Sequence, residues 1–154
     1  MKTRIDYGQA APGTYEAMDA LDRYLAGCAI ERPLLILVQL RASQVNGCAY
    51  CIDMHWKDLR AIGDTEQRLA SLDAWRECPY YSDRERAALA WTEAVTLLAD
   101  GHVPDAVYAE ARSQFGDKEM ADLTLAIAAI NAWNRLSIAG RLVPGGYQPA
   151  KAGA

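Results

Sequence analysis

Apolar residues recur along most of this chain at intervals of three and four, the spacing of amphipathic helices. The first helix predicted in this way runs from Tyr15 to about Ala26, after an extended lead over residues 1–12. Further helices are predicted over residues 34–44, 48–62, 65–75, 83–99, 104–115 and from about 117 to 139. Ser82 and Glu85 have the spacing of a capping box at the start of the fifth of these seven helices. The pattern therefore predicts an all-α fold of about six to seven helices.

Two of these segments are apolar on nearly every side. The run Leu34 to Leu40 could be a buried strand, but the polar residues 41–44 extend the segment to about twelve residues, which favours a buried helix. The last segment should also be a central, buried helix. Asn131 and Asn134 would then lie in or beside the core, where polar groups must be paired. We expect them to tie helix ends or subunits together.

The length, the charge and the lack of long apolar runs limit the classes of protein to which this chain can belong. A chain of 154 residues fits one domain, with a core over about 12–147 and a mobile tail over 148–154. The net charge of −4 and the absence of a basic run argue against nucleic acid or an anionic membrane as a partner. No apolar run reaches transmembrane length, and residues 1–6 lack the hydrophobic region of a signal peptide. A cytoplasmic protein is expected.

The chemically informative segment is the short stretch from Ser43 to His55, which contains Cys48 and Cys51. The dipeptide Asn46-Gly47 indicates a turn, after which a helix can begin. Offsets of 0, 3 and 7 then place both cysteines and His55 on one helical face, with Asp58 among the residues that look outward. A helix start favours thiolate over thiol, while His55 can accept a proton from Cys51. Either cysteine could therefore be the attacking thiol.

Other readings of the cysteine pair are weaker. A zinc site would need a fourth ligand from Cys28, Cys78 or His102, none of which has ligand spacing to the pair. Haem attachment requires a histidine where Ile52 stands. An inert buried pair stays possible, but an isolated Cys-x-x-Cys in a cytoplasmic protein is more often catalytic or redox-sensing. We therefore expect redox or thiol chemistry, without a metal or bound cofactor.

The segment 41–55 resembles the core of the carboxymuconolactone decarboxylase-like superfamily, on its alkylhydroperoxidase D (AhpD) branch. The similarity covers about residues 3–147 and includes Arg4-Ile5-Asp6-Tyr7, Thr65-Glu66-Gln67-Arg68-Leu69, Asp83-Arg84-Glu85-Arg86 and Asn131-Ala132-Trp133-Asn134-Arg135. The resemblance implies an all-helical subunit that assembles into homo-trimers or homo-hexamers. It also implies reduction of a small-molecule hydroperoxide, with a dithiol protein or small thiol as reductant.

The family's peroxidase relay maps onto this chain with one member missing. The resemblance assigns its redox pair to Cys48 and Cys51 and its histidine to His55. The relay glutamate would stand twelve residues before the first cysteine, where this chain has Ile36. Isoleucine cannot carry a proton, so another acid would have to serve, or the activity would be weakened.

Two carboxylates are candidates for that acid. Glu93 lies in a largely apolar helix, where partial burial is plausible, although it could equally be a paired or solvated helix residue. Asp53 fits a helix-surface carboxylate better. The sequence thus favours a thiol-dependent hydroperoxide reductase with Cys48, Cys51, His55 and Glu93 as site residues. The alternatives are a non-enzymatic oligomer that senses redox state and, third, a decarboxylase whose activity would survive loss of both cysteines.

Overall fold

The computed structural model describes residues 2–149, and all regular structure in that range is helical. The eight α-helices are α1 Tyr7–Ala10, α2 Gly13–Leu25, α3 Arg32–Asn46, α4 Ala49–Ala61, α5 Glu66–Ala70, α6 Asp83–Thr96, α7 Asp105–Gln114 and α8 Asp117–Gly140. Single 3₁₀ turns at Leu72–Ala74 and Leu98–Asp100 follow α5 and α6. The all-α prediction is confirmed for the described residues, with one helix more than expected.

The additional helix is α1, which lies where an extended lead was predicted. The Asp6 carboxylate caps it by accepting a hydrogen bond from the backbone N–H of Gln9 at 3.2 Å. A four-residue helix is too short to show a hydrophobic period, so the pattern could not reveal it. Just before it, the backbone N–H of Arg4 donates to the carbonyl of Gly140 at 2.8 Å, which ties the lead to the end of α8.

Helix α3 is the centre of the fold, with α4, α6 and α8 packed around it. Its five residues from Leu34 to Val38 are each no more than 8% exposed, so the helix is apolar on every side. Pro33 occupies the first turn, where its missing N–H has no helical partner to lose. The polar residues after Leu40 continue the helix to Asn46, and the buried-helix prediction is therefore confirmed.

Only Gly47 and Cys48 separate α3 from α4. Gly47 has a φ of +68°, in the left-handed region that favours glycine. The backbone N–H of Cys48 donates to the carbonyl of Ser43 at 2.9 Å, and that of Gly47 donates to Gln44 at 3.1 Å. This Schellman arrangement ends α3 abruptly, and it makes Cys48 the residue from which α4 starts.

Within residues 2–149, no helix has both the length and the apolar character needed to cross a membrane. The tail predicted to be mobile covers residues 148–154, of which 150–154 lie outside the described residues. Residues 148 and 149 have no regular secondary structure.

Candidate redox-active site

Cys48 and Cys51 form a disulfide at the start of α4, with their Cα atoms 5.4 Å apart. Each residue is 1% exposed, and the pair packs against Ala42 of α3 and Ile130 of α8. Cys48 is the N-cap of α4, and its sulfur accepts a hydrogen bond from the backbone N–H of Cys51 at 3.4 Å. In the dithiol form, the same N–H and the positive end of the helix dipole favour a thiolate at Cys48.

His55 follows Cys51 by one helical turn and is 5% exposed. Both ring nitrogens are buried without a hydrogen-bond partner among the described residues. Burial lowers the pKa of His55 to about 4, so the ring is neutral at pH 7 and can accept a proton. Because buried polar atoms are rarely left unpaired, an unpaired imidazole beside a disulfide indicates a group kept free for proton exchange or a ligand.

A cavity of about 770 Å³ adjoins the disulfide and is lined by Cys51 and His55, but not by Cys48. The side chains of Ile36 and Met54 form part of the apolar wall of this cavity. The polar and aromatic side chains of the wall are Tyr15, Asp19, Asp22, Arg32, Gln39, Tyr50, Asp58, Trp133, Ser137 and Tyr147. The volume is typical of sites for small organic molecules, for which about 300–1,000 Å³ is usual. Of the two cysteines, Cys51 is thus the one that contributes to the cavity wall.

Asp58 turns into this cavity, so its predicted place on the outward face of α4 is wrong. Its Oδ1 accepts a hydrogen bond from the Tyr147 hydroxyl at 2.7 Å, while its Oδ2 lies 3.8 Å from Nδ1 of His55. Burial raises the pKa of Asp58, against the opposing effects of the Tyr147 hydrogen bond and the positive charge of Arg32. The outward prediction fails because a distant segment of the chain returns across this face of α4.

That segment is residues 142–149, which we call the C-terminal strap. The Lys57 ammonium donates to the carbonyls of Gly145 and Tyr147, both at 3.2 Å. The backbone N–H of Gly145 donates to the Asp53 carboxylate at 3.0 Å. Since Tyr147 also lines the cavity, the strap forms part of the cavity wall and is tied to the helix that carries Cys51 and His55.

A buried amide network fixes the end of α3 just before the cysteine turn. The Asn46 amide donates to the side-chain oxygens of Asn131 at 2.9 Å and Asn134 at 2.8 Å. The Asn134 amide in turn donates to the Ser43 hydroxyl at 3.1 Å. These bonds join α3 to α8, which confirms that Asn131 and Asn134 tie helices together.

Glu93, the sequence's candidate for the missing acid, lies on α6 and does not line the cavity. Its carboxylate accepts hydrogen bonds from Arg41 at 2.8 Å, Trp75 at 2.8 Å and Arg76 at 2.6 Å. Burial alone would raise the pKa of Glu93, but these three donors outweigh it and lower the pKa. A carboxylate held ionised in this way is a structural group, so the structure corrects the assignment of Glu93 as a relay acid.

Asp53 is engaged elsewhere too. It pairs with Lys57 at 2.8 Å and accepts from the strap, outside the cavity wall. Cys28 and Cys78 are free thiols. Within residues 2–149, no three His, Cys, Asp or Glu side chains are grouped closely enough to hold a metal ion, so this range does not supply the ligand set that a zinc reading requires.

The sequence model of the Carboxymuconolactone decarboxylase family matches residues 12–94, just over half of the chain. The chain belongs to this family. The matched range includes the whole segment from Ser43 to His55, and therefore the disulfide and the unpaired histidine.

Two sequence relatives and one solved structure are similar to this chain over two thirds of its length or more. YdfG of Bacillus subtilis (strain 168), an uncharacterized protein, is 43% identical over 139 residues, which are 90% of this chain and 95% of YdfG. YnjA of Escherichia coli (strain K12), also uncharacterized, is 32% identical over 104 residues, 67% of this chain and 56% of YnjA. A crystal structure from Agrobacterium tumefaciens, of a protein of unknown function described as a candidate antioxidant defence protein AhpD, matches with a TM-score of 0.91. It is 41% identical, with 95% of this chain and 100% of that chain covered. This family member is AhpD-like.

The structure brings Cys51 and His55 to one cavity and bonds Cys48 to Cys51, while it leaves Glu93 elsewhere. Sequence reasoning missed Asp58 and Tyr147. Asp58 could have been found, because it follows His55 by three residues and so shares its helical face. Tyr147 lies 89 residues beyond Asp58, and no local pattern connects the two.

Proposed function

We propose that this chain is a thiol-dependent hydroperoxide reductase in which Cys48 and Cys51 cycle between dithiol and disulfide. The observation that carries the proposal is the disulfide at a helix start whose second cysteine shares a cavity with a neutral, unpaired histidine. The substrate class is a small organic hydroperoxide, and the electrons come from an external dithiol, either a protein or a small thiol. The chemistry requires no bound cofactor.

Cys51 is the attacking thiol in this proposal, because it lines the cavity and Cys48 does not. His55 takes the proton of the Cys51 thiol, and the thiolate attacks the terminal peroxide oxygen. The O–O bond breaks, its electron pair leaves on the alkoxide, and the imidazolium returns the proton to give the alcohol. Cys51 is now a sulfenic acid.

Cys48 resolves the sulfenic acid. Its sulfur bonds to that of Cys51, the S–O bond breaks, and the hydroxide leaves as water with the proton of the Cys48 thiol. The N-cap position supports this step because it favours the Cys48 thiolate. The external dithiol then reopens the disulfide by two exchange steps and is itself oxidised to a disulfide.

A redox sensor is the second candidate, and the apolar Ile36 at the relay position favours it. A sensor would form the same disulfide but turn over hydroperoxide slowly. A decarboxylase is the third candidate and would act without either cysteine. Two further predictions are assembly into homo-trimers or homo-hexamers and a cytoplasmic location. Light scattering, which measures the mass of the assembly in solution, tests the first.

The test is steady-state reduction of cumene hydroperoxide with dithiothreitol. Wild type should turn over and Cys51→Ser should not, while Cys48→Ser should be slower than wild type because dithiothreitol must then reduce the Cys51 sulfenic acid directly. Without dithiothreitol, Cys48→Ser should still consume one equivalent of peroxide, with a sulfenic acid that dimedone traps at Cys51. Cys51→Ser should give no such burst.

Cys28→Ser and Cys78→Ser are the matched controls, because both thiols are free and neither lines the cavity. Each should retain full turnover. Hydroperoxide turnover that persists after substitution of both Cys48 and Cys51 would contradict the thiol mechanism. A burst in Cys51→Ser instead of Cys48→Ser would reverse the roles of the two cysteines.

A further inference from the structure

We propose that Asp58 is the positioning carboxylate for His55 and that Tyr147 of the C-terminal strap holds it in place. This inference rests on the proposed function. Asp58 compensates for the acid missing at position 36 by stabilising the protonated form of His55. The chain would then run from Tyr147 through Asp58 and His55 to Cys51. Three of these four residues lie on α4, and the fourth arrives from the end of the chain.

The two oxygens of the Asp58 carboxylate have different neighbours. Oδ1 is occupied by the Tyr147 hydroxyl at 2.7 Å, which fixes the orientation of the carboxylate. Oδ2 has no such donor within residues 2–149 and lies 3.8 Å from Nδ1 of His55. A shift of about 1 Å would bring these atoms to hydrogen-bond distance, for which about 2.7–3.2 Å is usual. With Nδ1 engaged by the carboxylate, Nε2 is the ring atom that can exchange a proton with the Cys51 thiol.

The charge balance of the proton transfer gives Asp58 its function. When His55 takes the Cys51 proton, an imidazolium forms in a site that is 95% shielded from solvent, since the residue is 5% exposed. Burial opposes that cation: in the disulfide form, with Asp58 still 3.8 Å away, it lowers the pKa of His55 to about 4. In the proposed dithiol form, Asp58 moves to hydrogen-bond distance and supplies the counter-charge. An ionised Asp58 stabilises the imidazolium, and with it the thiolate. Asp58 itself neither touches the peroxide nor takes the proton.

Other charged groups around this pair do not replace Asp58. The titratable side chains that share the cavity are Asp19 and Asp22 from α2, Arg32 from α3, Tyr15, Tyr50 and Tyr147. Asp22 accepts a hydrogen bond from the Trp133 indole at 3.0 Å and Asp19 is exposed. Among the described residues, neither carboxylate lies within 4.0 Å of a His55 ring nitrogen, as Asp58 does. Arg32 is a cation and cannot stabilise an imidazolium.

The test measures the reactivity of Cys51 without any peroxide. In a Cys48→Ser background, the rate of Cys51 alkylation by iodoacetamide is followed against pH. Asp58→Asn should raise the pH midpoint by about one unit, so that the rate near neutral pH falls roughly tenfold. Tyr147→Phe should shift the midpoint in the same direction by a smaller amount. Circular dichroism melts check that both variants are folded.

The direction of the shift separates a relay from a simple charge effect. If Asp58 acted on the thiolate only through space, removing its negative charge would lower the midpoint, because like charges repel. A relay through His55 predicts the opposite sign. A lowered or unchanged midpoint in Asp58→Asn therefore overturns the proposal.

Asp53→Asn is the matched control: it removes the same charge from the same helix and one bond to the strap, but it leaves the cavity wall intact. Its midpoint should match that of the parent. An equal shift in Asp53→Asn would overturn the proposal by attributing the effect to anchoring of the strap. Because the assay needs no peroxide, a raised midpoint in Asp58→Asn supports the relay even if the protein reduces no hydroperoxide, which would contradict the proposed function alone.

Discussion

Glu93 and Asp58 are two carboxylates at almost the same depth, with side chains 14% and 15% exposed. Yet their pKa values move in opposite directions: burial raises that of Asp58, whereas three donors lower that of Glu93 despite its burial. Glu93 is held by Arg41, Trp75 and Arg76, while Asp58 has one phenolic donor. The number of donors, not the depth, thus decides whether a half-buried carboxylate is a structural group or one available to a neighbour.

The same contrast separates two buried polar side chains, Asn134 of α8 and His55 of α4. Asn134 is buried and makes hydrogen bonds through both its oxygen and its nitrogen. His55 is equally buried and makes none among the described residues. The fully paired Asn134 joins α8 to α3, whereas the unpaired His55 faces the cavity.

The largest expected effect comes from removing the structural carboxylate. Glu93→Ala leaves Arg41, whose side chain is 11% exposed, and the Trp75 indole without their shared acceptor. Loss of one partner of a buried ion pair costs about 3–5 kcal/mol. Because Arg41 keeps its ion pair with Asp73, the free energy of unfolding in urea should fall by an amount near the lower end of that range, about 3–4 kcal/mol. Asp58→Asn, the matched variant, should lose less than about 1 kcal/mol. If Glu93→Ala is as stable as wild type but loses peroxide turnover, the distinction between a structural Glu93 and a functional Asp58 is wrong.

The unpaired histidine should make stability depend on pH. Folding lowers the pKa of His55 from 6.5 to about 4, so between these values the unfolded chain binds the proton more readily. Stability should therefore fall as pH drops through this window, by about 3 kcal/mol in total at about 1.4 kcal/mol per pKa unit. Urea melts of the oxidised protein at pH 7 and pH 4 measure the change. In His55→Leu the fall should be smaller by this amount; a slope equal to that of wild type would contradict the burial of a neutral ring.

The paired amides should show the reverse behaviour, with a stability loss that does not vary with pH between 4 and 7. Asn134→Ala removes one acceptor of Asn46 and the amide donor of Ser43. Leaving buried polar groups unpaired costs about 1–3 kcal/mol, so a loss of about 2 kcal/mol is expected in urea melts. A loss that changes with pH between about 4 and 6.5, where His55 titrates, would show that the amide network and His55 are not independent.

The smallest expected effect is that of restoring a carboxylate at position 36. Ile36→Glu should change hydroperoxide turnover by less than about threefold, because Asp58 already serves His55 and a second acid adds little. In the Asp58→Asn background the same substitution should recover turnover, since both positions face one cavity. Steady-state assays of the four combinations test this. A large gain in turnover from Ile36→Glu in wild type would mean that Asp58 does not act as the carboxylate for His55.

Short-range features of the site were predictable from the sequence. The Asn46-Gly47 turn, the helix start beside Cys48 and the shared face of Cys51 and His55 all depend on residues within one or two helical turns. The capping box is similar: the Ser82 hydroxyl accepts from the backbone N–H of Glu85, and the Glu85 carboxylate accepts from that of Ser82. Helix α1 escaped prediction because it is capped by a single Asp6 and buries no side chain.

The sequence by itself determined the helices other than α1, the disulfide-forming pair and the histidine one turn later, because a period of 3.6 residues sets which neighbours on a helix meet. Only the tertiary structure decided which carboxylate accompanies that histidine. Glu93 was captured by Arg41, Trp75 and Arg76 at sequence separations of 52, 18 and 17. Asp58 was enclosed by Tyr147, 89 residues away. Donors that meet a carboxylate across such distances follow from the packing of whole helices, which no local period encodes.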